Sequence, residues 1–133
     1  MNRNILVTYE PGAEEKGIYR EMLEGIANVY CLAAATDIER PELLNSADVI
    51  ISLSFSKKEI DPTEISRLKN VRFIQLIYAG ADNIPFSLVP EDILLASNAG
   101  AFAEPIAEHV MALTLALSKN LFSKYKIRCG GRF

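Results

Sequence analysis

Short β-rich runs alternate with stretches of helical spacing along most of this 133-residue chain. The predicted strands cover residues 5–9, 28–32, 48–53, 71–77 and 93–96. Helices are predicted over residues 13–27 and 41–47, and a further helix from Asp61 as N-cap with Pro62 as its first residue. Because strands that alternate with helices are joined by crossover connections, this order predicts an α/β protein with a parallel sheet of about five strands and helices on both faces.

The last predicted helix begins near Glu104, with Pro105 at its first position. It is apolar on nearly every face through Leu117, so we expect it to be buried on nearly every face. Its apolar part is shorter than the roughly 20 residues that cross a bilayer, so no membrane partner is expected. The predicted architecture is therefore a flavodoxin-like α/β fold that ends in a long buried helix.

Composition narrows the class of protein further. Half of the residues are hydrophobic, which suits one packed domain, and we predict a single unit over residues 1–133. The net charge of −3 argues against a nucleic-acid partner, which needs a basic face. Two separated cysteines, one histidine and no secretory segment predict no metal site and a cytoplasmic location.

Two glycine-containing loops, residues 78–83 and 98–103, follow the fourth and fifth predicted strands. Ligands of open parallel sheets bind outside the carboxyl ends of the strands. The backbone amides of Ala79 and Gly80 are candidates to hold a carboxylate there, and the start of the following helix also favours an anion. The glycines could equally serve only as tight turns, and their spacing does not decide between the two roles.

Several catalytic patterns are not found in this sequence. His109 follows Glu108, but adjacent helical residues do not face each other, so a structural role is favoured over an acid–base pair. The sequence has no G-x-S-x-G elbow and no G-x-x-x-x-G-K-[ST] phosphate loop. It also has no G-x-G-x-x-G, so this chain is not expected to bind a dinucleotide in the usual Rossmann manner.

Two separated segments resemble motifs of one enzyme family. Residues 71–84, VRFIQLIYAGADNI, are similar to the L-x-x-I-Q-x-x-x-x-G-x-D-N-I segment of D-isomer-specific 2-hydroxyacid dehydrogenases. Residues 97–109, SNAGAFAEPIAEH, resemble that family's x-N-x-x-G-x-N-A-x-x-V-A-E-H. The resemblance is sharpest over residues 71–120, and it identifies the chain as the family's N-terminal substrate-binding lobe.

The resemblance implies an oxidoreductase of two lobes, in which this lobe holds a small 2-hydroxy or 2-oxo acid. NAD or NADP would be bound mainly by a following Rossmann lobe, which would also supply the catalytic Arg, Glu and His. No catalytic residue is therefore expected in this chain. The implied substrate contacts are the amides of Ala79 and Gly80, a pocket wall of Ser54 and Phe55, and the neighbours Tyr78 and Phe102. Ala79 and Ile106 are the implied cofactor contacts.

The resemblance carries further expectations. Phe102 stands where some members have Asn, which implies a bulkier or more apolar substrate. The chain is expected to end before the nucleotide-binding lobe, to be inactive alone, and to form a homodimer as the intact enzyme. The alternative is a stand-alone carboxylate-binding or interaction module without catalysis. A phospho-receiver domain is disfavoured because the strand ends offer Glu10, Ser54 and Asn98 in place of an acidic metal pocket.

Overall fold

A five-stranded parallel sheet is the framework of the computed structural model, which describes residues 2–131. The strands are β1 (Arg3–Val7), β2 (Ala27–Cys31), β3 (Val49–Ser52), β4 (Phe73–Leu76) and β5 (Leu94–Ala96), in the order β2-β1-β3-β4-β5. Every pairing is parallel. The predicted α/β class, strand number and strand direction are confirmed.

The helices lie between and after the strands, as the sequence pattern predicts. They are α1 (Ala13–Leu23), α2 (Arg40–Ser46), α3 (Ala103–Ser118) and α4 (Leu121–Cys129). Two 3₁₀ helices cover Leu32–Ala34 and Pro62–Arg67. The chain divides into two compact units at Ala99, and the described parts are residues 2–99 with the sheet and residues 100–131 with α3 and α4.

The main core lies on one face of the sheet. Leu6, Ile50 and Ile74 are in register across β1, β3 and β4, so their side chains point to the same face. They pack with Leu44 of α2 and Ile65 of the second 3₁₀ helix, and all five are almost fully buried. Helix α1 lies along the opposite face of the sheet, beside side chains that alternate with those of the core, such as Val7 and Val29.

The helix predicted to begin at Asp61 is present, as a 3₁₀ helix rather than an α-helix. The Asp61 carboxylate accepts the amide of Thr63 at 2.9 Å, and the Glu64 carboxylate accepts the amide of Asp61 at 2.9 Å. This reciprocal capping, with Pro62 at the first position, gives the start of the helix its hydrogen bonds. Glu64 also accepts two hydrogen bonds from Arg40, which ties this turn to α2.

The predicted burial of the last helix is wrong for the described residues. Helix α3 is present at the predicted place, but none of its residues is buried, and Leu117 is 68% exposed. The error has a physical reason: apolar composition shows which surfaces a helix can bury, but not which segment supplies the opposing surface. Asn120, in the left-handed conformation with φ of 55°, separates α3 from the equally exposed α4. Over residues 2–131, no helix has the length and apolar character needed to cross a membrane.

Candidate functional site

The loops that follow β3, β4 and β5 lie side by side at the carboxyl edge of the sheet. The amide of Tyr78 donates to the carbonyl of Leu53 at 3.0 Å. The amide of Asn98 in turn donates to the carbonyl of Tyr78 at 3.3 Å. Backbone hydrogen bonds therefore bring Ser54 and the Tyr78–Gly80 turn together, as the strand-end argument predicts.

The exposed turn after β4 contains two backbone donors without a protein acceptor among the described residues. Tyr78, Ala79 and Gly80 are all exposed. Among the hydrogen bonds of residues 2–131, none has the N–H of Ala79 or Gly80 as its donor. A Cβ added at Gly80 would stand 3.3 Å from the Asp82 Oδ2, at the end of an exposed side chain. Two adjacent amides without a protein acceptor can bind an anion such as a carboxylate.

A buried carboxylate holds the loop after β3. Glu59 is 7% exposed, and its Oε2 accepts hydrogen bonds from the Leu53 amide at 2.9 Å and the Thr8 hydroxyl at 2.6 Å. The Ser52 hydroxyl donates to the same oxygen. Its Oε1 accepts the amides of Ser54 at 3.2 Å and of Ser56 at 3.3 Å, together with both serine hydroxyls.

The same contacts decide the charge of Glu59. Burial raises the pKa of a carboxyl group, but the hydrogen bonds from Ser52, Thr8 and the loop amides outweigh that effect and lower the pKa of Glu59 to about 2. Glu59 is therefore an anion at neutral pH, surrounded by donors. Sequence reasoning missed it, although a carboxylate a few residues after the serine-rich run 52–56 is a signal for such a loop.

Phe55 does not have the predicted place on a pocket wall. Its side chain is 2% exposed and packs in the core, and its backbone has a positive φ of 55°. The Phe55 amide donates to the Ser52 hydroxyl at 2.7 Å. The sharp backbone turn points the Phe55 side chain into the core, so this side chain anchors the loop. The preceding Ser54 is half-buried and remains at the surface.

Three further residues from the sequence analysis lie in the second unit. Phe102 and Ile106 are 53% and 59% exposed at the start of α3. His109 is exposed on the same helix. Within residues 2–131, no group of three or more His, Cys, Asp or Glu side chains is arranged to hold a metal ion.

A second cluster of polar groups lies away from the predicted site, between α1 and β2. A groove of about 530 Å³ there is lined by apolar residues such as Leu23 and Val29 and by charged residues such as Lys16. Nearby, the Tyr9 hydroxyl contacts both the Glu15 carboxylate and, at 2.8 Å, the Tyr19 hydroxyl. Burial and the Glu15 contact raise the pKa of Tyr9, so it remains a neutral donor. None of the predicted site residues lines this groove.

Comparison with solved structures finds the same fold in larger proteins. A glycerate dehydrogenase related protein from Thermoplasma acidophilum matches with a TM-score of 0.69 and 25% identity, over 98% of this chain and 40% of that one. A 2-hydroxyacid dehydrogenase from Ketogulonicigenium vulgare matches with a TM-score of 0.71 and 20% identity, over 98% and 41%. D-lactate dehydrogenase from Aquifex aeolicus, complexed with NAD and lactic acid, matches with a TM-score of 0.62 and 18% identity, over 98% and 38%.

The chain therefore spans about two fifths of the length of these solved structures. No curated protein sequence matches it. The sequence model of the D-isomer specific 2-hydroxyacid dehydrogenase catalytic domain matches residues 3–125, which is nearly the whole chain. By that match, the chain belongs to the D-isomer specific 2-hydroxyacid dehydrogenase family.

Proposed function

We propose that this chain is the substrate-binding lobe of an NAD(P)-dependent dehydrogenase that interconverts a D-2-hydroxy acid and a 2-oxo acid. One observation carries the proposal: Ala79 and Gly80 are exposed residues, and their amides have no protein acceptor among residues 2–131. Two such donors at the carboxyl edge of a parallel sheet match the carboxylate that all 2-hydroxy acids share. Membership of the family supports the same substrate class.

The residues of this chain would bind and orient the substrate. The amides of Ala79 and Gly80 would hold its carboxylate, which fixes the direction of C2. Ser54 and Tyr78 would contact the remainder of the substrate. Phe102, which is apolar and exposed, is proposed as a further substrate contact.

The nicotinamide cofactor would supply or accept the hydride when bound. The small, exposed Ala79 offers a surface that a flat ring can approach closely, and Ile106 is proposed as a second apolar contact for the cofactor. The sequence of this chain has no glycine fingerprint for the pyrophosphate. We therefore propose that residues 1–133 form one lobe of a two-lobe enzyme, whose second lobe holds NAD or NADP and the catalytic side chains. The intact enzyme is proposed to be a homodimer.

A titration of the ¹⁵N-labelled chain with pyruvate tests the carboxylate site. We expect the amide resonances of Ala79 and Gly80 to move, whereas that of Gly25, in the turn before β2, stays in place. Ala79→Pro removes one donor and should weaken binding by about tenfold or more, the effect of losing a charge-assisted hydrogen bond. Ala79→Ser keeps the donor and is the matched control, with affinity near that of the wild type.

Two results of this titration would count against the proposal. The carboxylate site would be ruled out if the resonances that move do not include Ala79 and Gly80. Equal pyruvate affinity of the Ala79→Pro and Ala79→Ser variants would rule it out as well. Binding in the micromolar range without cofactor would instead favour a stand-alone carboxylate-binding module, because a lobe that holds half of a pocket binds weakly.

An activity assay tests the division of labour between the lobes. The purified 133-residue chain, mixed with pyruvate and NADH, should show no loss of NADH absorbance above the rate without protein. The physical reason is that an acid–base group and the dinucleotide site are both expected outside this chain. Measurable turnover, repeated with independently purified protein, would overturn the assignment of catalysis to another lobe.

A further inference from the structure

We propose that Glu59 is a positioning residue for the carboxylate site, acting through the Leu53–Ser54 peptide group on the turn that carries the Ala79 amide. The inference rests on the proposed function, because it concerns how the donors of that site are oriented. Among the hydrogen bonds of residues 2–131, those of Glu59 reach the loop after β3 and none joins it to the turn itself. Its effect would pass through two backbone peptide groups.

The first step is the capture of a loop by an internal anion. The amides of Leu53, Ser54 and Ser56 all donate to the Glu59 carboxylate. A run of such amides would otherwise be an anion-binding nest. Because Glu59 already occupies them, these donors are not free for a substrate carboxylate, and the free amides of the neighbouring turn, Ala79 and Gly80, remain for that role.

The second step links that loop to the turn after β4. The Ser54 N–H and the Leu53 carbonyl are the two ends of one peptide group. The N–H end donates to Glu59, and the carbonyl end accepts the Tyr78 amide at 3.0 Å. Hydrogen bonds at both ends of a peptide group polarise each other, so the carboxylate strengthens the acceptor that holds Tyr78.

The third step sets the direction of the free donor. The Tyr78 carbonyl and the Ala79 N–H also belong to one planar peptide group, so they point in opposite directions. The carbonyl accepts the Asn98 amide at 3.3 Å. Residue 78 is thus held at its N–H by Leu53 and at its carbonyl by Asn98, and the Ala79 N–H is directed away from Asn98. A donor fixed in advance loses little entropy on binding.

Glu59→Gln tests this role because it keeps the size of the side chain and removes its charge. We expect the affinity for pyruvate to fall by about tenfold, since a misdirected donor loses its charge-assisted hydrogen bond. The Tyr78 amide should also exchange with solvent faster than in the wild type. Glu91→Gln, which makes the same change of charge at an exposed residue outside the Glu59 cluster, is the matched control and should leave the affinity unchanged.

The outcomes distinguish the positioning role of Glu59 from the proposed carboxylate-binding function. If the wild type binds pyruvate at Ala79 and Gly80 and Glu59→Gln binds equally well, the positioning role is overturned and the proposed function stands. If the wild type does not bind pyruvate, the proposed function fails. Amide exchange of Tyr78 then tests the link from Glu59 to the turn by itself. Faster exchange in Glu59→Gln supports that link, and unchanged exchange overturns it.

If Glu59→Gln does not fold, a milder variant can be tested in its place. Glu59→Asp keeps the charge but shortens the side chain by one methylene, so it cannot reach all of its donors. A reduced affinity and faster Tyr78 exchange in that variant support the inference. Wild-type affinity and exchange in Glu59→Asp overturn it.

Discussion

Glu59 shows how one buried side chain can hold a loop at the carboxyl edge of a sheet. Its carboxylate is almost fully buried, yet it accepts hydrogen bonds from Thr8, which directly follows β1, from the end of β3 and from the following loop. A buried carboxylate is costly when it lacks partners and stabilising when donors surround it. Protonation of Glu59 in acid should therefore weaken this loop.

The acid dependence follows from the lowered pKa of Glu59. A carboxyl whose pKa is about 2 in the folded chain and near its ordinary 4.5 when unfolded stabilises the fold fully above pH 4.5, and loses that contribution as the pH falls towards 2. The contribution is on the order of 3 kcal/mol. In urea unfolding at pH 7 and at about pH 3, the gap between wild type and Glu59→Gln should be smaller at the lower pH.

Glu91→Gln provides the control for this measurement, because Glu91 is exposed and lies outside the Glu59 cluster. Its free energy of unfolding should follow that of the wild type at both pH values. A gap between Glu59→Gln and wild type that stays constant with pH would contradict the assigned charge state.

Among the helices that the structure describes, the 3₁₀ helix Pro62–Arg67 is the one with a side-chain hydrogen bond at its N-cap. Asp61 accepts the Thr63 amide, and Glu64 returns a hydrogen bond to the Asp61 amide. Asp61→Ala should lower the free energy of unfolding by about 1 kcal/mol, the usual cost of an N-cap. Ser66→Ala, in the same helix but outside the cap, should change it much less. Equal losses in the two variants, measured by urea unfolding, would argue against the cap.

The elements also show what sequence pattern can and cannot predict. The β-rich runs and the Asp61-Pro62 start were sufficient to locate the strands and this helix, because those signals are local. The role of Glu59 depends on donors from Thr8 and Ser52, which only the folded sheet brings together. Phe55 was misplaced because its positive φ, which turns the side chain into the core, is unusual for a bulky residue.

The molecule as a whole displays its apolar residues unevenly. The first unit encloses a buried core, whereas no residue of α3 or α4 is buried and both helices expose large apolar side chains along most of their length. Among the exposed residues are Ile106, Val110, Met111, Leu115, Leu117, Leu121, Phe122 and Tyr125. Large apolar side chains exposed in this number on two consecutive helices are typical of an interface.

Self-association of the 133-residue chain is the expected consequence. Sedimentation velocity should show a mean mass that rises with protein concentration, because burying these side chains between copies removes apolar surface from water. The double variant Leu117→Gln, Phe122→Gln should shift the association to higher concentration. Ile38→Gln, which alters an apolar residue exposed in the first unit, is the control. Identical sedimentation of the double variant and the wild type would show that these helices do not drive association.

The position of β4 within the sheet has a consequence for how such a chain can change. The strand that leads into the Ala79–Gly80 turn is hydrogen-bonded on both sides, to β3 and to β5, whereas β2 is an edge strand. An insertion in the turn between α1 and β2 would enlarge the sheet edge that lies away from β4. The direction of the Ala79 and Gly80 amides would stay unchanged. We therefore expect insertions to be tolerated at a turn that is remote from the proposed substrate site.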